Sequence, residues 1–400
     1  MQEREPDLSM ISGAFWGRNP HPELAWMRSH DPVYWDAVGG VWGISRYEHI
    51  KEIESDPVTF SNAGGIRPET GPIPMMIDMD DPEHRMRRKL VARGFTPNRV
   101  RQQEPGIRDL VHELIDEVCE QGECDFVWDI AAWIPLIMIG DALGVEPDDR
   151  ATLMRWSDDL LRGLGTEDMD LLMKSMEAFV GYNEYAGRVI EDRTSCPRDD
   201  LMSILVHAEV DGDRLDAESI LHESLLILIG GDETTRHVMS GGAYQLLVQP
   251  ERWQRMLADR SLIIPAVEEM LRWVTPIKNM ARTATRTVEF HGKTIEAGQK
   301  LLMLYPSANR DEDHFPNAQE FDLERAPNDH VAFGFGTHFC LGSSLARLEL
   351  RALFEVLLDR LPDLHLVDST EPAHRAANFV SGYEGMKVAF TPTARRTPAG

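Results

Sequence analysis

Cys340 closes the run Phe333-Gly334-Phe335-Gly336-Thr337-His338-Phe339-Cys340, directly ahead of an apolar stretch whose periodicity predicts a helix from Leu341 to Leu361. A thiol at a helix N-terminus faces unpaired backbone N–H groups and the positive end of the helix dipole. Both favour the thiolate over the thiol. Gly334 and Gly336 permit tight turns, Phe333 and Phe339 supply apolar cover, and Gly342 allows close approach of a second group. A single thiolate in an apolar loop suits the axial position of a haem iron. There it pushes electron density onto the metal and favours O–O cleavage over reversible oxygen carriage. The alternative is a free cysteine in a glycine-rich loop.

Three further constellations could do chemistry around such a centre. The apolar helical run Leu225–Arg236 contains Gly230-Gly231-Asp232-Glu233-Thr234, and two glycines inside a helix cost about 1 kcal/mol each relative to alanine. One explanation is close approach of a flat ligand, with a local opening that frees the Thr234 hydroxyl toward a bound diatomic and leaves a carboxylate beside it. The other is helix–helix contact through the glycines, with Asp232, Glu233 and Thr234 on the outside. Glu269 and Arg272 form an i, i+3 pair on one helix face. His84 and Arg88, one turn apart, together with Arg282 and His338, are candidates for the cations and donors that two haem propionates require.

The run Phe333–Gly342 resembles the haem-binding signature of the cytochrome P450 superfamily, the haem-thiolate monooxygenases. The resemblance implies a mainly α fold, a helical prism with small peripheral β-sheets and haem b held between two long helices. It makes Cys340 the axial iron ligand and His84, Arg88, Arg282 and His338 the remaining cofactor contacts. Glu233 and Thr234 become the acid–alcohol pair that supplies protons for oxygen activation. Glu269, Arg272 and Arg325 become a structural triad that pins the cysteine loop. Several segments are similar to one branch in particular, the actinobacterial steroid C-26 monooxygenases: Ser61–Pro68, Met76–Pro82, Gly230–His237 and Asn378–Gly382. That similarity implies oxidation of the terminal side-chain carbon of cholesterol or cholest-4-en-3-one. The expected sterol contacts are Met75, Met76, Leu226, Ile229, Gly230, Ile277, Asn279, Phe379 and Val380. The same chemistry on a fatty acid, terpenoid or macrolide stays open, as does a haem-based sensor or carrier without turnover.

With no dinucleotide-binding glycine motif and no cysteine spacing for an iron–sulfur cluster, the electrons must come from outside. The resemblance implies a ferredoxin and its reductase as donors, O2 as co-substrate and a monomeric enzyme. The net charge of −26 argues against nucleic acid and anionic membranes as partners. A cationic stripe of Arg85, Arg87, Arg88, Lys89, Arg93, Arg99 and Arg101 offers a dock for an acidic protein or, alternatively, a solvated helix face. No apolar run reaches membrane-spanning length, no leader opens the chain, and four cysteines form no framework, so a cytoplasmic protein is expected.

The absence of linkers and repeats predicts one catalytic domain over residues 1–400, with frayed ends at about 1–10 and 391–400. Helical periodicity runs over Arg108–Cys119, Ala131–Leu143, Met169–Asp192 and Asp216–Leu247, besides the helix after Cys340. Strand alternation is confined to Val33–Val41, Thr287–Thr294 with a His291-Gly292 turn, and Lys300–Leu304.

Overall fold

The computed structural model describes residues 8–164, 166, 168–209 and 212–396. Nine helices frame the site: α1 (Glu83–Val91), α2 (Pro97–Val118), α3 (Trp133–Ala142), α4 (Arg150–Arg162), α5 (Met169–Ser195), α6 (Ala217–Gly231), α7 (Glu233–Leu247), α8 (Ile263–Val274) and α9 (Ser343–Arg360). A mixed sheet takes the order β1–β2–β5–β4–β3, with β1 (Val33–Asp36), β2 (Val41–Ile44), β3 (Phe60–Ser61), β4 (Met280–Ala284) and β5 (Lys300–Met303). Its β2–β5 pair is parallel and the others antiparallel.

The main core joins α2, α7, α8 and α9 through residues such as Val111, Ile115, Met239, Ala243, Ala266, Met270, Leu353 and Phe354. The i, i+4 spacing of Val111 with Ile115, Met239 with Ala243 and Ala266 with Met270 puts each of these pairs on one helix face. In β4 the period of two sends Met280 and Arg282 toward the central cavity, while Ala281, fully buried, packs on the opposite side.

The helix expected over Asp216–Leu247 is two helices, α6 and α7, hinged at Asp232, whose ψ of −74° departs from the helical value. The strand expected over Val33–Val41 is a hairpin, because the Asp36 carboxylate accepts from the N–H groups of Val38 and Gly39 and turns the chain. His291 and Gly292 take φ of 47° and 81°, closing the hairpin between Val288–Phe290 and Lys293–Ile295.

Residues 1–7 and 397–400, within the ends expected to fray, lie outside the described residues. The rest of those ends is fastened. Met10 is fully buried and donates its N–H to Asp36. Near the other end Thr393 N–H donates to Cys119 O, and Arg396 pairs with Asp116. No described helix is long and apolar enough to cross a membrane.

Candidate active site

A large cavity lies between the α6–α7 hinge and the start of α9. Gly230, Gly231, Thr234, Thr235 and Val238 form one wall; Cys340, Leu341, Gly342, Leu345, Ala346 and Glu349 form the other. Its empty space is about 1620 Å3 counted out to the solvent mouth. A Cβ added to Gly230 or Gly342 would meet no heavy atom within 4 Å, so both glycines present bare backbone to the cavity. Gly231 behaves differently, since its added Cβ would press on Ile139 at 3.0 Å. Close ligand approach and helix packing therefore each account for one glycine of the pair.

Cys340 precedes α9 by three residues instead of standing at its first turn, because Leu341 and Gly342 form a turn before Ser343. The loop is shaped by Gly334 and Gly336, at φ of 68° and 71°. Gly336 has a second constraint: a Cβ there would lie 2.3 Å from Glu54 O. Cys340 N–H donates to Phe333 O at 2.9 Å, which folds the loop back on itself. Burial pushes the Cys340 thiol above its ordinary value, opposed by the backbone N–H groups of Gly342 and Ser343 and by the charges of Arg88 and Arg347. The amides alone thus do not secure a thiolate, and a bound cation is what would complete the balance.

His84, Arg88, Arg282 and His338 all line the cavity, with the His84 and His338 rings 4.0 Å apart. The Nε2 of His84 is buried with no hydrogen-bond partner. Burial lowers the His84 pKa and brings that of His338 down to about 3, so both imidazoles are neutral donors or acceptors at pH 7. Arg88 donates to Phe339 O, and Arg282 pairs with Glu54 at 2.9 Å. An orphaned imidazole nitrogen and two guanidinium groups beside a cavity-facing cysteine fit a flat, dianionic, iron-bearing macrocycle. Glu54, which also accepts from Tyr305 at 2.7 Å, was missed by sequence reasoning. It sits far away in the chain with no local pattern to mark it.

Thr234 lines the cavity, but its hydroxyl is not turned free of the helix: it donates to Gly230 O at 2.8 Å. Glu233 is fully buried on the other side of α7, held at 2.7 Å by both Arg236 and Arg375. Arg375 in turn binds Asp158, whose carboxyl is kept well below the usual range by the arginines around it, against the cost of burial. The proton-relay geometry expected of Glu233 beside Thr234 is therefore closed in this conformation.

Among the expected substrate contacts, Met76, Leu226, Ile229, Gly230, Ile277, Phe379 and Val380 line the cavity. Met75 and Asn279 do not. Met75 is 5% exposed in the core formed with α1, α3 and α6, because its extended backbone, at φ −110° and ψ 152° just before the turn Met76–Asp78, directs its side chain away from that of Met76. Asn279 is buried and spends its amide on Asn378 O at 2.7 Å, tying two loops together. The cationic stripe also resolves into separate contacts. Arg87 pairs with buried Glu223, Arg88 turns into the cavity, and Arg85 and Arg99 pair with Asp81 and Asp199.

Glu269 gathers the triad. Arg272 grips both its oxygens at 2.6 and 2.7 Å, and Arg325 adds a contact at 3.1 Å. Both arginines also donate to backbone carbonyls between Asn309 and Glu320, upstream of the cysteine loop. Asn328 and the N–H of Asp322 complete the carboxylate.

The sequence profile of cytochrome P450 matches residues 160–376. The chain is 51% identical over 395 residues to a steroid C26-monooxygenase of Mycobacterium tuberculosis, covering 97% of this chain and 98% of that protein. It is 50% identical over 391 residues to a steroid C26-monooxygenase of Mycolicibacterium smegmatis, covering 97% of each. Among solved structures, a Mycobacterium marinum cytochrome P450 in complex with pseudoionone superposes with a TM-score of 0.89 at 33% identity, over 97% of this chain and 99% of that one.

Proposed function

The chain belongs to the cytochrome P450 family, and from that premise we propose that it hydroxylates the terminal side-chain carbon of a sterol such as cholesterol or cholest-4-en-3-one and carries the oxidation further toward the acid. The observation that carries this reading is identity of 51% over nearly the whole length of a steroid C26-monooxygenase. The cavity supports it: Met76, Leu226, Ile229, Ile277, Met280, Phe379 and Val380 make an apolar enclosure suited to a large, rigid hydrocarbon.

Haem bound through Cys340 supplies the activation of dioxygen needed to attack an unactivated C–H bond. The chain's own residues orient, exclude water and move protons. His84, Arg88, Arg282 and His338 would take the propionates, and the Gly230 and Gly342 backbones would admit the ring. Since the Thr234 hydroxyl donates to Gly230 O, its lone pairs are left for the cavity, where it can accept a hydrogen bond and relay a proton. Glu233 must release Arg236 or Arg375 before it can replenish that proton.

An external electron donor, a ferredoxin with its reductase, fits a chain without a nicotinamide or iron–sulfur motif. The surface groove beside the start of α9 sets Arg101, Arg347 and Arg351 against Glu104 and Glu268, which pair with Arg351 and Arg347, so it offers an acidic donor an excess of one positive charge, at Arg101. All four cysteines are free, in keeping with a reducing cytoplasm.

The test is reconstituted turnover of cholest-4-en-3-one under isotopically labelled dioxygen, with fragment masses read on the product. One labelled oxygen on the terminal side-chain carbon is expected. Label in the ring system, or turnover only with fatty acids, would refute the sterol assignment.

A further inference from the structure

Arg67 is a cation inside an apolar wall with no counter-ion of its own. It lines the cavity from the segment between β3 and the turn Met76–Asp78, with its guanidinium carbon 4.2 Å from the Phe379 ring centroid. Its Nε is buried without a hydrogen-bond partner, and among the described residues no carboxylate lies in ion-pair contact with it. The two carboxylates whose fields reach it are engaged elsewhere. Asp78 accepts from the N–H groups of Ile66 and Ile73 at 2.9 and 2.8 Å, and Glu69 accepts from Asn378 at 3.0 Å. Burial lowers the Arg67 pKa, yet a guanidinium stays charged throughout the ordinary pH range.

The other cations of the cavity gather at its cysteine end. Arg88 is tied to Phe339, Arg282 to Glu54, and His84 lies against His338. Arg67 instead stacks on Phe379, a member of the cluster in which Ile66, Leu161 and Val380 pack with Ile229, Ile277 and Met280, a cluster that contains no residue of the Phe333–Cys340 loop. An unpaired guanidinium in such surroundings is costly unless an acceptor arrives with the ligand. Stacking on Phe379 fixes the plane of the fork and leaves its N–H edge to meet an oxygen.

We propose that Arg67 is a specificity-determining residue that binds an oxygen acceptor, carbonyl or anionic, on the end of an elongated apolar substrate remote from the carbon that is oxidised. This rests on the reading of the cavity as a substrate pocket. A sterol would offer a ring ketone or a conjugated oxyanion there, and a fatty acid its carboxylate.

Calorimetric titration of the holoprotein with matched pairs separates these cases: cholest-4-en-3-one against cholest-4-ene, and hexadecanoate against hexadecane, all presented from cyclodextrin. The wild type is expected to hold the oxygenated member of one pair at least about tenfold more tightly than its hydrocarbon. Arg67→Met should abolish that preference while leaving hydrocarbon affinity within about threefold, and Arg67→Lys should restore part of it. Discrimination within the fatty-acid pair alone would keep the role of Arg67 and remove the sterol reading. Absence of discrimination by the wild type in both pairs, or equal weakening of both members in Arg67→Met, would overturn the proposal.

Discussion

Buried carboxylates in two regions of this molecule, the clasp behind the cysteine loop and the α6–α7 hinge, are treated in opposite ways. On the cysteine side, fully buried Glu269 receives two arginines, an asparagine and a backbone N–H. Around the hinge, Asp232 is 1% exposed and neither of its oxygens has a hydrogen-bond partner, and Glu349, 2% exposed on the facing α9 wall of the cavity, has no ion pair among the described residues. Burial pushes Asp232 up to about 7, with Arg236 opposing and Glu233 adding to the shift. It pushes Glu349 up to about 8, and the charge of Asp232 adds to that. A satisfied carboxylate is a fixed anion that fastens chain segments together. An unsatisfied one is a group that can hold a proton at neutral pH. The molecule thus keeps its cofactor loop on a rigid ionic clasp and places its exchangeable protons around the hinge at Asp232.

The sharpest way to break this contrast is Glu269→Ala. It strands two buried guanidinium groups and should cost about 3–5 kcal/mol, a large part of a typical domain's stability. Expression should then yield little haem-loaded protein, read as the ratio of Soret to protein absorbance. Next in size is Cys340→Ser. The thiolate-type absorption of the reduced carbon monoxide complex should vanish, while the melting temperature of the cofactor-free chain stays within a few degrees of the wild type, since the clasp is untouched.

Asp232→Asn addresses the other side. Because the folded-state pKa of about 7 lies above the ordinary 3.8, the folded chain keeps a proton that the unfolded chain loses. The stability this proton confers is full below about pH 4 and is lost as the pH rises toward 7. The asparagine variant escapes that loss, and should gain on the wild type by about 4 kcal/mol in urea melts at pH 8 relative to pH 4. Arg236, Glu233 and Asp158 carry the neighbouring charges and are present in both proteins. The smallest change in stability belongs to Thr234→Ala, which removes one hydrogen bond to Gly230 O and should cost under about 1 kcal/mol. Its signature is elsewhere: peroxide should be released in place of hydroxylated product. Unchanged coupling would remove Thr234 from proton delivery.

How far the chain could be read in advance follows the same division. The cysteine loop, the Glu269–Arg272 pair and the His84–Arg88 turn are local patterns, and their members meet in space because helix periodicity and turn chemistry act over a few residues. Arg325 was legible through family resemblance, whereas the paired glycines offered a local opening only as one of two readings of a helix expected to run unbroken through Asp232. What escaped depends on long-range packing. The Arg375 contact that closes Glu233 joins residues 142 positions apart, and Glu54 reaches Arg282 across 228. Met75 and Asn279 show the converse, since their neighbours line the cavity while an extended backbone and a loop-to-loop hydrogen bond point them elsewhere. Within the cationic stripe, Arg87 and Arg88 turn inward to Glu223 and Phe339, a choice that composition does not encode.

The most direct test of the account is an optical titration of the purified ferric holoprotein with cholest-4-en-3-one, with a long-chain fatty acid as the comparison ligand. A saturable shift toward the high-spin spectrum, tighter for the steroid, is the predicted result, because a fitting sterol fills the apolar cavity opposite Cys340 and excludes water. No shift with the steroid, or a tighter response to the fatty acid, would contradict it.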